Sequence, residues 1–153
     1  MLARDAEAFD YVIAGGGSAG CVLAARLSES PDVRVLLLEA GGSDRHPFIQ
    51  IPLGVGQIRQ ANLFDWGYVS EPQPGLQGRR IELKRGKVLG GSSSINFMAH
   101  NRGNRSDYDR WVKLGAPQWS YDRLLPYFKR METWPDGAGP YRGTDGPVGI
   151  TYT

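Results

Sequence analysis

FDYVIAGGGSAGCVLAARLSE, Phe9 to Glu29, followed by VRVLLLEAGG, Val33 to Gly42, decides the fold. Phe9–Ala14 is a short apolar run, partly β-branched, and reads as a buried strand. Three glycines, Gly15 to Gly17, end it. From Ser18 to Glu29, Ala19, Val22, Leu23 and Leu27 recur at helical spacing. Pro31 and Asp32 stop that helix, and Val33–Glu39 reads as a second buried strand. Strand, helix and strand in about thirty residues make a βαβ unit, whose crossover is expected to be right-handed.

The glycines at this junction are spaced Gly15-x-Gly17-x-x-Gly20. Gly15 permits a tight turn, Gly17 a close approach of backbone to a pyrophosphate, and Gly20 tight packing of helix on strand. The helix N-terminus offers free N–H groups and a positive dipole end, with Ser18 and Ala19 in its first turn. Glu39, at the end of the second strand, is placed to accept hydrogen bonds from ribose hydroxyls. The pattern predicts a bound dinucleotide. It leaves NAD and FAD open and argues against NADP, whose 2′-phosphate Glu39 would repel.

Outward from this unit the signals weaken. Residues 43–78 are rich in Gly, Pro, Asn and Gln and carry no long periodic run. Trp66–Ser70 and Ile81–Lys84 read as short strands, Arg85–Ser94 as a Gly/Ser loop, and Ile95–His100 as apolar again. Ser106–Leu114 reads as a helix with a capping box of Ser106 and Asp109, closed by Gly115. Ser120–Glu132 reads as a second helix, kinked or opened as a 3₁₀ turn by Pro126. Trp111, Trp119, Tyr121, Tyr127 and Phe128 suit the cores of these two helices. Val148–Tyr152 reads as a strand.

Several stretches together resemble the glucose–methanol–choline (GMC) family of FAD-dependent oxidoreductases. They are the opening βαβ unit with LLLEAGG, RGKVLGGSSSIN (Arg85–Asn96), RGNRSDYDRW (Arg102–Trp111), WSYDRLLPYFKRME (Trp119–Glu132) and GTDGPVGI (Gly143–Ile150). They cover nearly the whole chain, in the family's order. The wording is closest to bacterial oxidases of hydroxymethyl-bearing rings and to choline dehydrogenase-like members.

The resemblance implies an α/β fold, a Rossmann-like FAD-binding portion over residues 1–105 with its flavin loop at 85–100. Residues 106–153 would be a helical and β extension leading toward a substrate domain. It implies that Gly15, Gly17, Gly20 and Glu39 anchor the ADP half of FAD, with Ser18, Ala19, Ala40 and Trp66 also among the cofactor-binding residues. Arg85, Gly86, Lys87, Val88, Gly90, Gly91 and Ser92 would run along the cofactor, and Asn96, Phe97, Met98 and Ala99 beside the isoalloxazine ring. Paired glycines, small hydroxyls and an apolar run suit close approach to such a ring. Some members attach flavin through a His just before the motif Asn; Ile95 stands there, so FAD is expected to be non-covalent. The implied reaction oxidises an alcohol: a base takes the hydroxyl proton and the α-carbon passes a hydride to flavin N5, the chemistry residing in the cofactor. A lyase or light-driven decarboxylase on the same scaffold, or a non-catalytic FAD-binding piece, stays open.

The family's catalytic pair lies near the C-terminal end of much longer chains, so no catalytic residue is assigned among these 153. His100 is the candidate for the substrate side of the flavin; its plainer reading is a polar residue satisfied by a backbone carbonyl. The chain reads as an N-terminal piece, its partner a second polypeptide or the C-terminal portion, whether from a split gene, a cleavage or a truncation.

Composition agrees with a folded domain, being 41% hydrophobic and 22% charged. Twenty-one glycines in 153 residues are about twice the usual share of roughly 7%, with no Gly-X-Y period, and so serve turns and close approaches. A single cysteine and two histidines leave no disulfide framework and no Cys/His metal cluster. Cys21 reads as helix packing and His46 receives no role. Arg79, Arg80, Lys84, Arg85 and Lys87 read as a mostly solvated basic face. The net charge of +2 gives no reason to expect nucleic acid. The opening MLARDAE has no apolar signal-like run and no stretch could span a bilayer, so a cytoplasmic setting is expected.

Overall fold

Tyr11–Ala14 (β1) and Val35–Leu38 (β2) pair in parallel, Tyr11 opposite Val35 and Ala14 opposite Leu38, in the computed structural model, which describes residues 8–152. The opening MLARDAE therefore lies outside the described residues. Ser18–Leu27 (α1) joins the two strands and packs on both. This is the βαβ unit expected from the apolar spacing. The expected burial of its strands is not found: Val12 and Leu38 are each half or more exposed, as are Val22 and Leu23 on α1. The sheet has only two strands, so its faces lack neighbours to cover them.

The next segment holds short helices at Pro47–Gln50 (α2) and Val55–Gln60 (α3), with a 3₁₀ turn at Pro52–Gly54 between them. Their lengths are too small for a periodic signal, which is why residues 43–78 read as irregular. His46 caps α2: its Nδ1 accepts from the Phe48 N–H at 3.2 Å, and its ring meets Phe48 and Phe64 edge-on. Tyr68–Val69 (β3) and Glu82–Leu83 (β4) form an antiparallel pair inside the two stretches expected as strands. Ile58 and Val88 are buried here.

The residues divide into two compact units between Met98 and Ala99. In the second, Arg105–Lys113 (α4) and Tyr121–Met131 (α5) are the two expected helices. The cap of α4 is Asn104 and not Ser106: Asn104 Oδ1 accepts from the Ser106 N–H at 3.0 Å, and Ser106 already lies in the helix. α5 is α-helical through Pro126 and does not open as a 3₁₀ turn. The carbonyl that proline leaves without a donor belongs to Asp122, whose side chain is exposed. Glu132–Thr133 (β5) and Val148–Gly149 (β6) pair in parallel. Tyr108, buried, meets Trp111, Tyr121 and Phe128 through ring contacts of 5.1–5.8 Å. Tyr127 is 67% exposed and does not join that core; it belongs to the outer face of α5.

Candidate functional site

The three glycines of the first motif do three separable jobs. Gly15 has φ +99°, which a side chain would strain. A Cβ on Gly20 would run into the Gly15 carbonyl oxygen and sit 3.4 Å from Ile13, so only glycine lets α1 begin this close to β1. Gly17 caps α1 without a side-chain bond, and a Cβ there would lie 3.8 Å from Gly91 Cα. The first helical bond is donated by Cys21 to the Gly17 carbonyl at 2.9 Å, so the Ser18, Ala19 and Gly20 amides have no partner within α1.

The second Gly-rich stretch is laid directly against the first. Gly90 N–H donates to the Gly16 carbonyl at 2.7 Å, and Leu89 N–H donates to Gly42 at 2.9 Å. Ser18 Oγ and Ser93 Oγ are in hydrogen-bond contact. Gly90 and Gly91 both have positive φ, and a Cβ on Gly91 would stand 2.8 Å from Gly17 Cα. Gly86 is held under the turn by its amide, which donates to Ser92 Oγ at 3.0 Å. The stretch read as a loop contains a 3₁₀ turn, Gly91–Ser94.

Glu39 braces this floor. Its Oε2 accepts the Gly16 N–H at 2.7 Å and its Oε1 the Gly41 N–H at 2.8 Å. Each oxygen keeps a further lone pair. Trp66 is brought in by β3 and β4. Its amide donates to the Arg85 carbonyl at 3.0 Å, and Asp65 beside it accepts from Lys84 Nζ at 3.0 Å and from the Arg85 N–H at 2.9 Å. Burial raises the Asp65 pKa, but those bonds outweigh it and hold the carboxyl below its ordinary value. The Trp66 ring stacks parallel to Tyr68, and Lys87 Nζ lies 4.7 Å from its centroid.

Together these residues wall one cleft of about 520 Å³, lined by Ala14, Gly15, Gly17, Leu38, Glu39, Ala40, Trp66, Gly86 and Gly91. That volume lies within the range of roughly 300–1,000 Å³ usual for ligand sites. Seven of the residues singled out from sequence meet here, from segments far apart in the chain. Val88 is fully buried, so any contact it makes with a ligand is through its backbone. Arg85 Nη1 donates to the Lys84 carbonyl at 2.6 Å.

Past Ser94 the chain leaves the cleft. Asn96 Oδ1 accepts from the Met98 N–H at 2.7 Å, and Met98 has φ +57°. Phe97, at the apex of that turn, and Met98 are both more than half exposed. Ala99 and His100 belong to the second unit. The Nε2 of His100 lies 2.8 Å from Glu132 Oε2, so a buried carboxylate and not a backbone carbonyl satisfies this imidazole. No sequence signal singled out Glu132; it closes an amphipathic helix and reads as one more exposed acid. Among the described residues no group of three or more His, Cys, Asp or Glu could hold a metal, and no helix is long and apolar enough to cross a membrane.

Residues 9–153 match the family described as GMC oxidoreductase, and the chain belongs to that family. An oxygen-dependent choline dehydrogenase of Photobacterium profundum is 53% identical over 141 residues, which are 92% of this chain and 25% of that protein. Among solved structures, pyridoxine 4-oxidase from Mesorbium loti superposes with a TM-score of 0.84 at 43% identity, over 93% of this chain and 28% of that one. A formate oxidase of Aspergillus oryzae, a protein studied for its FAD modification, superposes with a TM-score of 0.81 at 35% identity, over 96% of this chain and 27% of its own. The fold is thus the Rossmann-like FAD-binding fold of these oxidoreductases. The chain spans about a quarter of the length of the curated relatives it matches.

Proposed function

We propose that this chain forms the FAD-binding N-terminal part of an enzyme that oxidises a primary alcohol to an aldehyde. The observation that carries the reading is the cleft in which two Gly-rich motifs, some seventy residues apart, meet beside Glu39 and Trp66. Its chemistry fits FAD. The unpartnered amides at the start of α1 suit a pyrophosphate, with Ser18 and Ser93 beside them. Glu39, braced by two amides, keeps lone pairs for ribose hydroxyls, and the flat face of Trp66 suits an adenine.

With a pyrophosphate where Gly17 and Gly91 approach each other and the adenosine half toward Glu39, the flavin half would run the other way, past Ser92 toward residues 95–98. When bound, the flavin supplies a hydride acceptor at N5. This chain's residues bind and orient it: Gly90 and Gly91 permit close approach, Asn96 shapes the turn beneath the ring, and Ile95 offers no nucleophile for a covalent link. We place the base that takes the alcohol proton outside residues 1–153. His100 is engaged by Glu132, which leaves only Nδ1 to act, with no second residue orienting it toward a substrate. Residues 1–105 are read as the FAD-binding portion and 106–153 as the start of the way to a substrate domain.

The test uses the whole protein that contains this chain. It should purify yellow, release FAD into the filtrate on denaturation, and bleach with a primary alcohol in the absence of oxygen. Absence of flavin after reconstitution, or bleaching by no alcohol, would remove the reading.

A further inference from the structure

Trp66 walls the cleft, and the group that fixes it there belongs to its neighbour on the other side of the strand. Asp65 stands opposite Gly86, Tyr68 opposite Leu83 and Val69 opposite Glu82, one antiparallel register on both sides of Trp66. In that register Trp66 and Arg85 form a pair that would exchange two backbone bonds. One of them is made: the Trp66 N–H donates to the Arg85 carbonyl at 3.0 Å. The Arg85 N–H donates instead to Asp65 Oδ1, at 2.9 Å. A side-chain carboxylate thus stands in for the Trp66 carbonyl, and the ladder breaks after Trp66 and resumes at Tyr68. Gly67, with φ +72°, supplies the backbone turn that the break needs.

Successive residues of a strand face opposite ways. Trp66 lines the cleft, whereas Asp65 lines a separate hollow with Asn62 and Lys84. Asp65 is therefore not part of the cleft wall and acts on the cleft through the residue it holds. Its side chain is 5% exposed, and Lys84 Nζ, 3.0 Å from Oδ2, balances the buried charge. An ammonium has three donors. Lys84 directs them to Asp65, to Glu82 Oε2 at 3.3 Å and to Asn62 Oδ1. Asn62 and Phe64 both hold left-handed backbone, with φ +51° and +57°. For a ring-bearing side chain that conformation is unfavourable and persists only where its surroundings fix it. The Phe64 carbonyl accepts from the Lys87 N–H at 2.7 Å, and Asn62 is held by Lys84. The segment leading into Trp66 is pinned by residues 84–87, the stretch that also carries Gly86 of the cleft wall.

We infer that Asp65, charge-balanced by Lys84, is a positioning residue of the cofactor site: by taking the Arg85 amide it fixes Trp66 for the adenosine half of the dinucleotide. The inference rests on the function proposed above, which puts an adenine against Trp66. With the acceptor removed, the Arg85 amide is free to take the Trp66 carbonyl and close the ladder, which turns the Trp66 peptide away from its present setting.

The experiment uses the whole protein that contains this chain. FAD release from the holoprotein is timed by the recovery of flavin fluorescence on dilution. ADP binding after flavin removal is measured by calorimetry. Two charge-free pairs isolate the acceptor without stranding Lys84. Asp65→Asn with Lys84→Met keeps an oxygen for the Arg85 amide, and Asp65→Leu with Lys84→Met removes it. The Asn pair should bind ADP within about twofold of the unaltered protein. The Leu pair should bind it about fivefold more weakly and release FAD faster by a similar factor, with the flavin absorption unchanged. In a Trp66→Ala background the two pairs should bind ADP equally, because the bond then has no ring to fix. A merely structural bond would keep its full factor there, and that result overturns the inference. Equal ADP binding by the two pairs with Trp66 in place overturns it as well. Should the Leu pair not fold, Asp65→Ser with Lys84→Met replaces it, its oxygen too short to reach the Arg85 amide, and the same comparison decides. A protein that takes up neither FAD nor ADP removes the proposed function and this inference with it, whereas ADP uptake indifferent to position 65 removes this inference alone.

Discussion

Glu39 and Glu132 are both braced carboxylates, and they differ in what remains after the bracing. Glu39 accepts two backbone N–H groups at 2.7 and 2.8 Å and lines an open cleft. Glu132 has no solvent exposure. Around it stand His100 Nε2 at 2.8 Å, Arg102 Nη2 at 2.7 Å, Arg142 Nη1 at 3.2 Å and the Gly143 amide at 3.2 Å. Arg102 stands at ion-pair distance without hydrogen-bond alignment, and its Nε is buried with no partner among the described residues. The guanidiniums of Arg102 and Arg142 also lie over Phe128 and Trp134. A carboxylate left with free lone pairs at a cleft is equipped to receive a ligand. One saturated by its own chain is equipped to hold that chain together.

The sharpest way to break this contrast is to remove each carboxylate. Glu132→Ala strands the largely buried Arg102 guanidinium, the part-exposed Arg142 and an imidazole, and should cost about 3–5 kcal/mol. Denaturant melts of the whole protein, with amide exchange followed in residues 121–149, check it. A loss under about 1 kcal/mol would make the cluster an ornament of the surface. Gly20→Ala comes next. Its methyl group meets the Gly15 carbonyl, so α1 must shift, at about 1–3 kcal/mol. FAD should dissociate more readily, and a visible titration with unaltered FAD affinity would show that the helix yields freely.

Glu39→Ala acts differently from Glu132→Ala. It should weaken FAD binding by about 1.5–3 kcal/mol, roughly tenfold or more, while the protein without FAD loses less stability than in the Glu132 variant. Equal damage to stability from the two variants would erase the comparison.

The smallest effect near neutral pH is titration of Glu132 itself. Burial raises its pKa, but the His100 bond, the Gly143 amide and the Arg102 charge outweigh that and hold the carboxyl below its ordinary 4.5. A depressed carboxyl contributes stability that is complete above the unfolded value and lost as pH falls through the folded one. Amide-exchange protection in residues 121–149 should therefore stay level from pH 8 to about 5 and fall only below the usual carboxylate range. In Glu132→Gln that acid limb should be absent. A decline already under way at pH 6 would take the effect away from Glu132.

The glycine motif, the apolar spacing of α1 and the acid after β2 were readable because each depends on neighbours a few residues away. The same held for the two late helices, though there a local competitor was missed. Asn104 precedes Ser106 and caps first, because its side-chain oxygen reaches the amide two residues on. His46 capping a four-residue helix left no periodic trace. The pairing of β5 with β6 rests on contacts sixteen residues apart in sequence, and only the strand nature of 148–152 was visible.

What the sequence determined by itself is the set of positions where glycine, or an acid that accepts backbone amides, stands at the strand-to-helix turn, since steric and electrostatic demands there are local. What the tertiary structure decided is which of those positions meet. It brought Gly90 and Gly91 onto Gly16 and Gly17, set Trp66 in the same cleft as Glu39, and buried Glu132 among charges ten positions away in one direction and thirty or more in the other. The strand faces read as buried are exposed in these residues, because a strand's pattern records that its face is to be covered and not by what. Long-range contacts depend on how segments pack, and side-chain spacing along the chain carries no record of that.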